Sequence, residues 1–160
     1  MPRFAFFLFL YACFAFSSCD KRTRIDLPFR AYVDIPAGLN TGLSHHFVLS
    51  GIPGIDEGNI VEALPATITL TIESGETSFD FVQRAYLSTY KSGTRQEMAY
   101  REDLPIANHS SIQLYPSILN MKDHIIQDEF QIELKMIFRA IPLTTTRVRI
   151  DFVAQGILGD

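Results

Sequence analysis

Apolar and polar residues alternate with a period of two along most of this chain, and that alternation limits the fold more than any other feature. Residues 66–73 are the cleanest case: Ala66, Ile68, Leu70 and Ile72 share one phase, Thr67, Thr69, Thr71 and Glu73 the other. Successive side chains of a strand point to opposite faces, so such a segment buries one face and wets the other. Threonine suits the wetted face of a pleat. Phe29, Ala31, Val33 and Ile35 repeat the pattern, as do Phe47 with Leu49, alternate residues from Phe130 to Phe138, and Val148, Ile150 and Phe152. Turn formers cluster between these segments, at 36–42, 51–59, 74–76 and 142–144. Near residues 82–84 the phase slips, which marks a bulge or one helical turn, and 91–94 reads as a hairpin connection. Residues 117–128 form the one expected helix, capped by Ser117, with Ile118, Met121 and Ile125 at helical spacing. Segments 130–139 and 147–152 are expected to pair as a hairpin, with Glu133 and Lys135 meeting Arg147, Arg149 or Asp151 across the strands.

The expected fold class is therefore all-β: a single antiparallel β-sandwich, Ig-like in general architecture, with one short helix near 117–128 and a small β-barrel as the alternative. The outer phases are too charged for the lipid-facing band of a membrane barrel.

The first twenty residues follow a different logic. Arg3 precedes an apolar run from Phe4 to Phe16, then two serines and Cys19. A charged start, a short apolar core and small residues make a secretory signal, and the run is shorter than the ~17–25 residues of a spanning helix. Phe16-Ser17-Ser18-Cys19 resembles the lipobox of bacterial lipoproteins, with phenylalanine where leucine is more usual. The resemblance implies that Cys19 is lipidated, becomes the new N-terminus and holds the domain on a membrane. The organisation read from the chain is a signal peptide at 1–18, a lipidated tether at 19–28 closed by Pro28, and a β-sandwich domain at 29–160. Lys21, Arg22 and Arg24 in the tether lie within reach of lipid head groups. Of the two cysteines, Cys13 leaves with the signal, so the processed domain has no internal disulfide and rests on its core. The formal charge of the chain is −4, and removal of Arg3 makes the domain slightly more acidic, which argues against a nucleic-acid partner.

Catalytic chemistry has little to stand on. There is no Gly-x-Ser-x-Gly elbow, and the cysteine left after processing is acylated. His45 and His46 are adjacent, so within a strand they face opposite ways and cannot share one ion. A metal site would need one of them with distant partners such as Asp56, Glu57 or His109; His124 is the fourth histidine. The expectation is no catalytic residue, no metal and no cofactor, with Cys19 as the one modified position. The chain has no tryptophan, so Tyr32, Tyr86, Tyr90, Tyr100 and Tyr115 are the candidate stacking residues.

Residues 31–54, together with Ser78-Phe79-Asp80-Phe81 and the C-terminal strands, are similar to small lipoproteins of the Bacteroidota. That group carries no assigned activity, so the resemblance implies an address, the outer membrane of the cell envelope, and no functional residue beyond Cys19. Two functions are expected. The first is a non-enzymatic, membrane-anchored binding or accessory module with an envelope protein partner. The second is an extracellular module for a glycan or other small ligand, using loops 36–44 and 51–62.

Overall fold

The computed structural model describes residues 23–52 and 59–159. It is all-β, with eight strands: β1 (Arg24–Ile35), β2 (Gly42–Ser50), β3 (Ile60–Ser74), β4 (Val82–Lys91), β5 (Thr94–Arg101), β6 (Ser111–Pro116), β7 (Glu129–Phe138) and β8 (Thr146–Leu158). Every pairing is antiparallel, and the order across the sheet is β1-β8-β3-β6-β5-β4-β7-β2. The pairs β4·β5, β3·β6, β2·β7 and β1·β8 are nested one inside the next, as in a single long hairpin. That ribbon is rolled up so that β3 meets β8 and β4 meets β7. This is the strand order of a jelly roll. Its two halves, β1-β8-β3-β6 and β5-β4-β7-β2, face each other as a sandwich does, and β6 joins them into one nearly closed barrel.

The interior is filled by the apolar phase that the sequence displays. Ile68 and Leu70 of β3, Val148, Ile150 and Phe152 of β8, Leu87 of β4, and Ile132 and Leu134 of β7 are buried. Phe29 of β1 stacks on Phe152 (centroids 4.6 Å apart) and meets Phe130 of β7 edge-on at 5.4 Å. These rings bridge the two halves beside the opening between β1 and β2.

The slip near residue 82 is present twice over, as a 3₁₀ turn at Phe79–Phe81 and a register shift between Val82 and Arg84 against β7. Ser92 and Gly93, both at positive φ, make the expected tight β4–β5 hairpin. Three expectations are corrected. β7 and β8 do not form a hairpin: β7 lies between β4 and β2, and β8 between β1 and β3. The connection is pinned across the barrel end instead. The Arg139 guanidinium donates to the carbonyls of Val82 and Leu104, Gly38 N–H donates to Pro142 O, and Glu76 accepts from the N–H groups of Leu143 and Thr144. Glu133 and Lys135 therefore never reach Arg147, Arg149 or Asp151; Asp151 pairs with Arg30 and Arg149, and Arg149 with Glu73.

The helix of 117–128 shrinks to one turn, Lys122–Ile125. Ser117 Oγ donates to Glu97 O and accepts from Leu119 N–H, Met121 N–H donates to Ala63 O, and Asn120 Oδ1 accepts from the N–H groups of both Ala63 and Lys122, where the turn begins. The tether is also shorter than read, because β1 starts at Arg24. Pro28 is tolerated since β1 is an edge strand, and Pro65 of β3 sits at a register shift between Pro65 and Thr67.

Gly75 turns the chain after β3 at φ +100°, and a Cβ there would lie 2.4 Å from Thr145 O. Gly93 has φ +78° with open space around it. Gly93→Ala is expected to cost about 1 kcal/mol from backbone strain alone. Gly75→Ala carries that strain plus the clash, and is expected to cost about 2 kcal/mol or more. Urea midpoints of the two variants measure the difference; equal midpoints would mean the β3 turn yields freely.

Candidate functional site

The outer face of the β6-β5-β4-β7-β2 side gathers more chemistry than any other described surface. Cross-strand register builds it in rows. Tyr115, Tyr100, Tyr86, Lys135 and Ser44 lie side by side on successive strands. The next row along the strands is Glu97, Ser88, Glu133 and His46. Arg95 and Tyr90 follow, paired with each other.

One irregularity makes the tyrosine row. Between Leu87 and Ser88 the β4–β5 register shifts by a residue, and Met98 and Ala99 are consecutively buried. Strict alternation from Arg95 and Glu97 would turn Tyr100 inward. The bulge turns it outward, opposite Tyr86, which is how a bulge re-aims a side chain. Tyr100 and Tyr115 are exposed, with centroids 6.1 Å apart at 66°. The Arg101 guanidinium lies 5.1 Å from the Tyr115 centroid, and the Tyr86 hydroxyl donates to Glu102 (3.0 Å). Burial and that acceptor both raise the Tyr86 phenol above its ordinary pKa. The rings are held, not loose.

Glu133 is the centre of the second row. Its side chain is only 9% exposed, although it lies on the outward phase of β7. Ser44 Oγ donates to Oε1 (2.5 Å); Tyr90 Oη (2.8 Å) and Arg95 Nε (2.9 Å) donate to Oε2. His46 Nε2 is 4.0 Å from Oε1, and its ring tilts against Tyr90 at 5.7 Å. Burial alone would raise the carboxyl pKa, but the Ser44 and Tyr90 hydrogen bonds and the Arg95 and His46 charges outweigh it, and the net shift is downward. Both carboxylate oxygens accept hydrogen bonds, so the charge ties β2, β4, β5 and β7 together. Ser88, opposite Glu133 in register, keeps a buried hydroxyl without a hydrogen-bond partner.

The four histidines occupy separate surroundings. His46 faces out beside Glu133, while His45 lies on the opposite face with its ring 6.1 Å from Phe47. His109 lines a cleft of about 230 Å³ with Asp80 and Arg101. There Asp80 Oδ1 is occupied by the N–H groups of Ala107 and Asn108. His124 is buried in the helical turn with Nε2 3.2 Å from Gln96 Oε1, and burial, aided by Lys91, lowers its pKa. Among the described residues no three His, Cys, Asp or Glu side chains gather as an ion requires. Cys19, Asp56 and Glu57 lie outside the described residues. Of the candidate tyrosines, Tyr86, Tyr90, Tyr100 and Tyr115 come together on this face. Tyr32 is on the opposite side, under Arg147. Loop 36–41 leads into Ser44 at the β2 end of the first row. Comparison with protein-family models, curated proteins and solved structures returns no match.

Proposed function

We propose that this chain is a non-enzymatic lipoprotein of the bacterial outer membrane, anchored through Cys19, whose barrel serves as a binding module. The observation that carries the proposal is where the barrel begins. β1 starts at Arg24, and Thr23 O already accepts from Leu158 N–H. Only residues 20–23 separate the folded domain from Cys19. An extended chain spans ~3.3–3.6 Å per residue, so the β1 end of the barrel stands within about 18 Å of the acylated cysteine. Connections 92–93 and 117–128 then face the membrane. Connections 36–41, 75–81, 102–110 and 139–145 face away from it, and the sheet faces stand to the side. The thioether-linked diacylglycerol and N-acyl chain that the lipobox resemblance implies at Cys19 exceed the two signals that stable attachment needs. A second reading, capture of a small extracellular ligand, is favoured by the tyrosine row; docking of an envelope protein is favoured by exposed Ile106 and Leu143 at the far end.

Cell fractionation tests the anchor. The wild-type chain is expected in the membrane pellet, released by detergent only, with an N-terminal peptide mass that includes the acyl groups. Cys19→Ser is expected to lose that mass and leave the detergent-dependent pool. An unmodified Cys19 in a salt-soluble wild-type protein would end the proposal. Purification of the tagged protein in mild detergent then separates the two readings, since a stoichiometric protein partner supports the accessory role.

A further inference from the structure

We propose that the tyrosine row on β4, β5 and β6 is a binding face for an uncharged oligosaccharide. The inference rests on the reading of this chain as a binding module and names what it binds. A pyranose or furanose ring has an apolar C–H face and a rim of hydroxyls, so its receptor needs flat aromatic area bordered by fixed hydrogen-bonding groups. The face has both. Tyr86, Tyr100 and Tyr115 lie opposite one another on neighbouring strands, which are ~4.7–4.9 Å apart, and the Tyr100 and Tyr115 rings meet edge-on at 6.1 Å. Tyrosine brings contact area with few rotatable bonds, and the Glu102 and Arg101 contacts restrict it further, which lowers the ordering cost of binding.

The bulge is the second, independent observation. It interrupts a ladder at a cost to pairing, and its local effect is to bring Tyr100 into line with Tyr86 and Tyr115. Burial of Met98 and Ala99 puts position 100 outside, but nothing in that packing requires a tyrosine there.

The surroundings choose among occupants. Among the described residues, the outward phase of β4, β5 and β6 holds no aliphatic side chain, which disfavours a protein interface core on these three strands; of the exposed aliphatics, Ile106, Ile141 and Leu143 are in the far loops, Val48 is on β2, Val61 on β3, and Ile118 follows β6. Charges at the border are of mixed sign, with Arg95, Arg101 and Lys135 beside Glu97, Glu102 and Glu133. A polyanion or a nucleic acid would find no consistent field there, and a neutral chain needs none.

The test uses the detergent-solubilised full chain and four neutral hexasaccharides, built of β-1,4-glucose, α-1,4-glucose, β-1,4-xylose and β-1,4-mannose. The chain has six tyrosines and no tryptophan, so intrinsic fluorescence reports tyrosine directly. At least one oligosaccharide is expected to quench the emission saturably, with matching heats in calorimetry. Tyr100→Ala should weaken that binding about tenfold or more, whereas Tyr100→Phe and the opposite-side variant Tyr32→Ala should each change it by less than about threefold. Thermal melts of the variants should coincide, since Tyr100 is exposed. Failure of all four sugars to bind overturns the proposal, as does equal weakening by Tyr32→Ala and Tyr100→Ala. Either result with Cys19 still acylated and the protein still membrane-bound leaves the anchored module standing; loss of the anchor with sugar binding intact does the reverse.

Discussion

Phe152→Ala is expected to destabilise the domain by about 3–5 kcal/mol, the largest effect of any single truncation considered. Phe152 is 1% exposed, and β8 places it between Phe29 of β1 and Ile68 of β3. Its ring is the platform on which Phe29 stacks, and Phe29 in turn meets Phe130 on the other half of the barrel. Removing it deletes buried apolar surface and leaves a cavity where the halves meet, and both terms add. Against a typical total of about 5–15 kcal/mol, such a loss can unfold the domain outright. Phe152→Leu, expected to cost about 1–2 kcal/mol, then supplies the graded measurement. Equilibrium unfolding in urea decides the matter, and an unchanged midpoint for Phe152→Ala would place the ring outside the cooperative core.

The second expected result is a loss of about 1–3 kcal/mol at neutral pH in Glu133→Gln, accompanied by a flatter acid limb of the stability curve. The lower end of that range applies if Arg95, which is 42% exposed, recovers water freely. The sign follows from the shift. The folded pKa of Glu133 is held below its ordinary value near 4.5, so the unfolded chain binds more protons as the solution is acidified. The stabilisation is complete above about 4.5 and drains away as pH falls through the folded pKa. Asp151 behaves the same way: burial pushes it up, and hydrogen bonds from Arg30 and Arg149 more than reverse that. Glu133→Gln should therefore reduce the acid dependence without abolishing it. An acid limb identical to wild type would show that Glu133 is solvated in solution. In that case the engagement by Ser44, Tyr90 and Arg95 would carry no weight.

What the alternation of residues conveys is which face a side chain occupies, and here it conveyed that well. Ile68 and Leu70, Val148 and Ile150, Ile132 and Leu134 all point inward as their phases require. It does not convey neighbours. β7 and β8 have the same apolar phase and adjoin in sequence, yet pins from Arg139 and Glu76 carry the chain across the barrel end between them. The candidate face was illegible for a related reason. Glu133 sits on the polar phase of β7, and its burial comes from Ser44, Tyr90 and Arg95, supplied by three other strands. Tyr100 is on the wrong phase for the outer face until the bulge is counted, and consecutive Met98 and Ala99 were the one local hint of it. The helix at 117–128 shortened to one turn where Ser117 and Asn120 add distant backbone partners, Glu97 O and Ala63 N–H, to their local ones, and no local rule can register those.

Nested pairing also dictates when this molecule can fold. The outermost pair joins Arg24 to Ile157, so the first strand of the barrel waits for the last. A nascent or partly translocated chain can close the β4–β5 hairpin early, because Lys91 and Thr94 are near neighbours. It cannot complete the β1-β8-β3-β6 half, in which β8 is central, and the other half waits for β7. Such long-range closure is intrinsically slow. Until β8 is available, β1 and β3 lack the strand they share, so the domain closes only when its last strand is in place.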